Sequence, residues 1–429
     1  MIDTVPRLRG RIAVWTALVC LSCTLPYWRA LTLPAISDTY LQVWLGKKYL
    51  SPDTWPELAA DALYRCRATS IWLTGATEAL FGSNPIMFEA ESILLHILNV
   101  ALIVSFGQFS KIGYRITIPA ALFWGFNERH HEAVIWYAAL PEQLVFSFVL
   151  LTLFAWLKWW QHDKPLYYAA SFGAFLLALL SKESGVIACA LLAVPLVYEP
   201  RRWRRALRGA IPFLASSTLY FAFNVGARDQ HLHWNDGTFQ FGWHFLPVMF
   251  NSTTRLFSVW GFAALAVLIY FRRSLDWRLP GIALLWIPIA LAPYSFVAYQ
   301  PRVPSRHVYL ASLGVAILLA LAYQFLLVRR RVAIGLVLAY MVFNTSYIWF
   351  YKHDQFVERG EVTEHLIRDA KLITAEHSQG PLQVSCFPLS PEIASIALAK
   401  HLGLDESQIA VERSRDSSCG PSRVDLILD

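Results

Sequence analysis

The sequence predicts an all-α polytopic membrane protein of about eleven transmembrane helices, with a long first loop on one side and a small C-terminal α/β cap. Three observations predict it. Of 429 residues, 56% are hydrophobic and only 16% are charged, where a soluble globular chain is about one quarter charged. Apolar stretches approaching the roughly 20 residues that a spanning helix needs recur as far as residue 350. The 17 Trp and 18 Tyr suit a chain with two membrane interfaces, where amphipathic rings collect. A net charge of +7 invites a nucleic-acid partner, but the basic residues fall in short loops on one side of the spans. Membrane lipids are the expected partner, and nucleic acid is not.

By length and apolarity the spans fall near 12–31, 86–108, 112–127, 134–157, 165–181, 184–199, 209–226, 247–271, 279–298, 308–328 and 332–350. The first follows Arg7, Arg9 and Arg11 like a signal segment. No small-residue cleavage site follows it and more spans do, so it reads as a retained helix. Every second connection is basic: Lys111 and Arg115; Lys158 and Lys164; Arg201, Arg202, Arg204, Arg205 and Arg208; Arg272, Arg273 and Arg278; Arg329, Arg330 and Arg331. Basic loops stay in the cytoplasm, which places the amino terminus there and the C-terminal tail outside. The arginine-rich composition hints at a bacterial source, hence an inner membrane and a periplasmic tail.

Two regions follow: residues 1–350 as the transmembrane domain, with its first outward loop at 33–84, and residues 351–429 as a small outer domain. The loop is too polar to span a bilayer and too rich in Trp, Tyr and Leu to be a linker. A long ordered loop is usually there for function. In the tail, 356–376 reads as a helix, 382–387 alternates like a strand, 391–402 reads as a helix capped by Ser390, and 424–428 as a last strand. Cys20, Cys23 and Cys189 lie in apolar stretches and read as core thiols. Cys386 and Cys419 are able to pair if the tail is outside. No metal-ligand spacing occurs, and no cofactor is expected.

Ionisable groups in or beside spans are costly and mark function by default. They gather on the outward side: Asp38; Glu89, Glu91 and His96; His130, His131 and Glu132; Glu142; Lys182 and Glu183; Arg302, Arg306 and His307. Each has a plainer role. Asp38 also suits a helix cap or a partner for Lys47, Glu132 an interfacial carboxylate, Lys182 and Glu183 a wet turn, and Arg306 an interfacial anchor. Glu142 reads first as a hydrogen-bond partner for a neighbouring helix, and His96 as a satisfied core histidine.

Four stretches together resemble the GT-C superfamily of integral-membrane glycosyltransferases, notably the protein O-mannosyltransferases, the lipid A aminoarabinose transferases and the transmembrane-TPR mannosyltransferases. They are Asp38 with Tyr64-Arg65-Cys66-Arg67; Leu80-Phe81-Gly82-Ser83-Asn84-Pro85 running on to Leu94-Leu95-His96-Ile97-Leu98-Asn99; Arg129-His130-His131-Glu132-Ala133-Val134; and Ser181-Lys182-Glu183-Ser184-Gly185. Arg306 with Tyr309-Leu310-Ala311-Ser312-Leu313-Gly314 is similar to a late stretch of that family. The chain departs from the pattern in three ways: Thr39 rather than a second acid follows Asp38, Cys66 stands where relatives have Pro, and no TPR array follows the spans.

The resemblance implies sugar transfer from a polyprenyl-phosphate donor to a protein, glycan or lipid acceptor on the outer face, with inversion. It implies Asp38 as the catalytic base and Glu132 as its aide. Arg65, His130, His131, Lys182, Glu183 and Arg306 are the expected substrate-binding residues. A carboxylate takes the acceptor proton, and fixed cations stabilise a phosphate leaving group, so no metal is required. A polysaccharide polymerase or ligase and a lipid-linked sugar transporter or flippase remain as alternatives. Internal repeats and midplane charges would favour transport, and the chain shows neither.

Overall fold

The computed structural model describes residues 4–36, 38–227, 229, 237–297, 301–376, 382–388, 390–413 and 423–426, and over these the chain is mostly helical. Among the described residues, four helical segments are long and apolar enough to cross a membrane: Pro85–Gln108, Tyr137–His162, Phe245–Tyr270 and Ser312–Ala375. The last is interrupted at Arg329, whose φ of −109° and ψ of 67° leave the helix, so the expected division between 328 and 332 is present. Other expected spans correspond to shorter helices, such as Tyr114–Gly125, Pro165–Leu179 and Arg278–Ser295.

Two expected spans are corrected. Residues 184–199 form no single helix. They run as a 3-10 turn Glu183–Ile187, a four-residue helix Ala188–Leu191 and a second 3-10 turn Val194–Val197. Gly185 sits so close to the preceding helix that a Cβ there would lie 2.6 Å from the Ala178 carbonyl group. Pro195 opens the second turn and supplies no amide donor. Residues 134–157 are likewise divided, into His131–Ile135 and Leu140–His162, because Trp136 is extended at φ −99° and ψ 100°.

A single apolar core joins the helices and is centred on aromatic side chains. Trp124 is fully buried. Its ring stacks on Phe146 at 4.4 Å and on His96 at 5.0 Å, and meets Tyr309 edge-on at 4.8 Å. Buried polar groups pair across helices Pro85–Ser105 and Leu140–His162: Asn99 Nδ2 donates to the Gln143 carbonyl (3.1 Å), Gln143 Nε2 to Ser92 Oγ (2.7 Å) and Ser147 Oγ to Asn99 Oδ1 (2.6 Å). Without water to compete, such bonds lock helix register.

The stretch 33–84 folds into three helices, α1 (Asp38–Lys48), α2 (Trp55–Ala60) and α3 (Ala68–Phe81). The backbones of α1 and α3 touch where they cross. A Cβ on Gly75 would lie 2.4 Å from the Gly46 carbonyl oxygen, so only a pair of glycines fits. Gln42 Nε2 donates to Thr74 Oγ1 (3.1 Å) at the same crossing.

The tail forms a three-stranded sheet of order β2-β1-β3, with β1 Leu382–Phe387, β2 Ile409–Arg413 and β3 Arg423–Leu426. β1 pairs parallel with β2 and antiparallel with β3. Helices α4 (His353–Glu376) and α5 (Pro391–Leu402) accompany it. β2 was not expected from the sequence. Ser390 occupies the N-cap position of α5 but makes no side-chain cap hydrogen bond, a correction to its expected role. The proposed Cys386–Cys419 pairing lies outside the described residues. Leu382, Val384 and Phe387 of β1 pack with Leu366, Ile367 and Ala370 of α4 and with Ala394 and Ala397 of α5; Ala35 and Tyr40 of the first-loop region complete this core.

Candidate functional site

Four connecting segments meet at one end of the helices, and each carries one of the stretches picked out in the sequence. The Arg65–Arg67 turn is tied to the Ser181–Lys182 turn: Thr69 N donates to the Leu180 carbonyl (3.2 Å), and the hydroxyls of Thr69 and Ser181 lie 2.7 Å apart. The 301–308 segment is held from helix Phe245–Tyr270, where Ser252 Oγ accepts from Val303 N (3.1 Å) and Arg255 donates to the Val303 carbonyl (3.1 Å) and to Ser305 Oγ (2.6 Å). The same segment meets residues 128–136 through Arg306.

Asp38 is the first residue of α1 and is partly buried. Its carboxylate makes no hydrogen bond or ion pair with the described residues. Burial raises the Asp38 carboxyl above its ordinary value, against the opposing pull of Arg306, Arg67 and Arg359. The tail fixes the approach to it. A Cβ on Gly360 would lie 2.5 Å from the Pro34 ring, and the Tyr40 hydroxyl donates to Glu364 Oε1 (3.4 Å).

Glu132 accepts a hydrogen bond from the backbone N–H of Arg306 (3.1 Å) and lies 3.7 Å from its guanidinium. The Arg306 guanidinium also sits over the Trp136 ring, 4.9 Å from its centroid. Burial works to raise the Glu132 carboxyl, but His131, Arg306 and Arg359 outweigh it and hold it below the usual carboxylate range. The two carboxyls are pushed in opposite directions, Asp38 up and Glu132 down, a pattern that recurs where acid–base roles are divided.

Lys182 lies in the expected short turn, and its ammonium is paired within the protein. Its ammonium donates to Glu142 Oε1, and that carboxylate also accepts from His307 Nδ1 (2.6 Å) and from the Tyr294 hydroxyl (2.6 Å). Ser184 and Tyr294 hydroxyls lie 2.8 Å apart, and the His307 ring stacks on Tyr294 at 4.4 Å. Burial lowers Lys182, while Glu142 opposes that shift. The ammonium is thus paired with a buried carboxylate. Glu183 is partly buried and reaches electrostatically towards Cys66 and Tyr220.

Arg65 turns away to the helix Trp203–Gly226, donating to Asn224 Oδ1 (3.2 Å) and lying over Phe223 at 4.6 Å. His130 and His131 are buried. His130 Nε2 bonds Ser312 Oγ (2.7 Å) within the Trp124–Tyr309 aromatic core, and His131 Nδ1 donates to the Glu128 carbonyl (2.6 Å).

Arg67 is the residue missing from the sequence-based set. It lies within electrostatic reach of both Asp38 and Lys182. Its Nε is buried without a partner, and its guanidinium makes no ion pair among the described residues. The signal was adjacent, since Arg67 stands two residues from Arg65 in the same quoted stretch. A buried donor lacking an acceptor is expensive, and an anion between Arg67 and Arg306 would relieve it.

Among solved structures, the chain is similar to ArnT from Cupriavidus metallidurans bound to undecaprenyl phosphate, with 15% sequence identity and a TM-score of 0.46 over 93% of this chain and 76% of that one. No protein-family model and no curated protein matches the chain.

Proposed function

We propose that this protein is an integral-membrane glycosyltransferase that moves a sugar from a polyprenyl-phosphate donor to an acceptor hydroxyl on the outer face, with inversion. The observation that carries the reading is the Asp38 carboxylate, unpartnered among the described residues and within electrostatic reach of Arg67 and Arg306, with neither of which it forms an ion pair there. Asp38 takes the acceptor O–H proton as the oxygen bonds to the anomeric carbon. The bond from that carbon to the phosphate oxygen breaks with its electron pair, leaving the lipid phosphate. A general base of this kind is worth about 10²- to 10⁴-fold, and preorganised cations answer the charge that grows on the leaving oxygen. Arg67 and Arg306 supply those cations, Glu132 aims Arg306, and the Glu142 cluster fixes the two turns that carry Lys182 and His307.

The test is release of polyprenyl phosphate from synthetic polyprenyl-phosphate sugars by the purified protein, coupled to sugar appearing on an acceptor. Movement of intact donor across vesicles without release favours a flippase instead. Orientation is checked by labelling single cysteines in spheroplasts with an impermeant thiol reagent, on a background without native thiols. Glu406→Cys in the tail is expected to react and Arg205→Cys to be protected; the reverse pattern sinks the outward placement.

A further inference from the structure

A second group of cations lies beyond Glu132. Arg255 carries its charge into a partly buried position on helix Phe245–Tyr270. Its two terminal nitrogens are occupied by a carbonyl and a hydroxyl, neither of them charged, and its Nε is buried with no partner. Arg129 and Arg302 lie within electrostatic reach of it, and Lys352 lies within reach of both Arg255 and Arg129. Arg129 and Lys352 converge on the Tyr347 ring, at 5.9 and 5.8 Å from its centroid. Among the described residues, Lys352 Nζ bonds only the neutral Gln355 Oε1 (3.0 Å).

Among the described residues, the acids present are fewer than these cations. Glu128 meets Arg129 at 2.8 Å and also lies within electrostatic reach of Arg255 and Lys352, and Glu132 is shared with Arg306. Clustered like charges at a half-buried site repel one another, and a buried charge lacking a counter-ion is costly. An anion from outside supplies what the chain does not. The donor phosphate is not that anion in this scheme, because Arg67 and Arg306 already receive it beside Asp38. Glu132 lies within reach of Arg306 on one side and of Arg255 and Lys352 on the other, so the second group sits next to the reacting centre.

We infer that the acceptor carries an anionic group, a phosphate or carboxylate, and that Arg129, Arg255 and Lys352 receive it. The inference rests on the transferase reading and names its acceptor class. Arg255 also anchors the 301–308 segment, so the variants are made at Lys352 and Arg129, which do not.

The full-length protein is reconstituted in phosphatidylcholine nanodiscs, and its thermal midpoint is titrated with inorganic phosphate at constant ionic strength. Phosphate is expected to stabilise both the wild type and the Arg67→Met variant; because Arg67 and Arg306 hold phosphate in this scheme too, the second site is read with its variants made in the Arg67→Met protein. Lys352→Met is expected to weaken the response roughly tenfold or more, as loss of a charged hydrogen bond does, and Lys352→Met/Arg129→Met to abolish it. In transfer assays Lys352→Met raises the acceptor KM and leaves the donor KM unchanged. No phosphate response in the wild type, titrations of the variants overlying that of Arg67→Met, or loss of the whole response in Arg67→Met overturns the second site. A shift in donor KM overturns its assignment to the acceptor. Saturation of the response by phosphatidylglycerol nanodiscs overturns it in favour of a bilayer headgroup. A Lys352-dependent response in a protein that transfers no sugar would instead remove the transferase reading and leave an anion site.

Discussion

Asp38 and Glu142 are both carboxylates drawn out of water beside cations, and they are opposites. Glu142 receives three donors from three separate segments, Lys182, His307 and Tyr294. Asp38 has arginines around it and accepts from none of the described residues. A saturated buried network fixes structure, since each member is satisfied only in one arrangement. A carboxylate without a hydrogen bond, beside an Arg67 that makes no ion pair among the described residues, leaves the arrangement open to a further partner. Under the proposed transferase reading, Glu142 holds the turns and Asp38 carries the chemistry.

The sharpest way to break that contrast is to neutralise each acid without changing its size. Asp38→Asn is expected to reduce turnover by about 10²- to 10⁴-fold with expression and donor binding close to wild type. If the variant keeps most of the wild-type rate, Asp38 is not the base and Glu132 takes its place. Glu142→Gln should fail differently. It leaves the Lys182 ammonium buried without its counter-charge, and breaking a buried pair on one side costs about 3–5 kcal/mol. Thermal unfolding of the purified protein should show the loss directly. A Glu142→Gln protein of wild-type stability but no activity would move Glu142 into the reacting set.

The cations sharpen the same division. Arg67 has no carboxylate partner among the described residues, so Arg67→Met should weaken donor binding roughly ten- to a hundredfold, the usual consequence of losing a hydrogen bond to a charged group. Lys182→Met should show itself mainly in stability. Equal effects on donor KM from the two variants would mean that Lys182 leaves Glu142 when the donor arrives. A pH profile separates the roles further. Asp38 loses base function as pH falls through its raised pKa, so the acid limb of kcat/KM should lie above the ordinary value of an aspartate. Arg67 pulls that value down, and Arg67→Met should therefore move the limb to higher pH. A limb that stays put separates Arg67 from Asp38.

The sequence made the class of protein legible because hydrophobic run length and basic-loop alternation are local signals. The tail elements at 382–387 and 391–402 were equally plain from strand alternation and a helical apolar face. The segment 184–199 was misread because composition alone does not show that Gly185 packs on Ala178. For the site, the convergence of Asp38, Glu132 and Arg306 was legible as shared location, whereas partner choice was not. Lys182, an isolated lysine in a short turn, looks free until Glu142, 40 residues earlier, is folded against it. Arg65 and Arg67 are indistinguishable in sequence, and only the position of Asn224 shows which of them is occupied. His130 and His131 carried a motif-like pattern but are absorbed by the aromatic core and by a backbone carbonyl.

The smallest effect expected is in stability, and it tests the same contrast from the other side. The folded-state carboxyl of Asp38 is raised above its unfolded value, so the folded protein holds that proton more tightly than the unfolded chain. Stability then falls as pH rises from the unfolded pKa through the raised folded one, and the deficit is complete at neutral pH. Below the unfolded pKa both states are protonated and the deficit vanishes. Asp38→Asn removes the titrating group and keeps the shape, so the variant should be more stable than wild type at pH 7, and the gap should close as pH is lowered towards 4. Glu142→Gln should be less stable at both. The measurement is the thermal midpoint of the three proteins in nanodiscs across that pH range, without donor. If Asp38→Asn unfolds at a lower temperature than wild type at pH 7, Asp38 is part of the scaffold like Glu142, and the distinction between the two carboxylates fails.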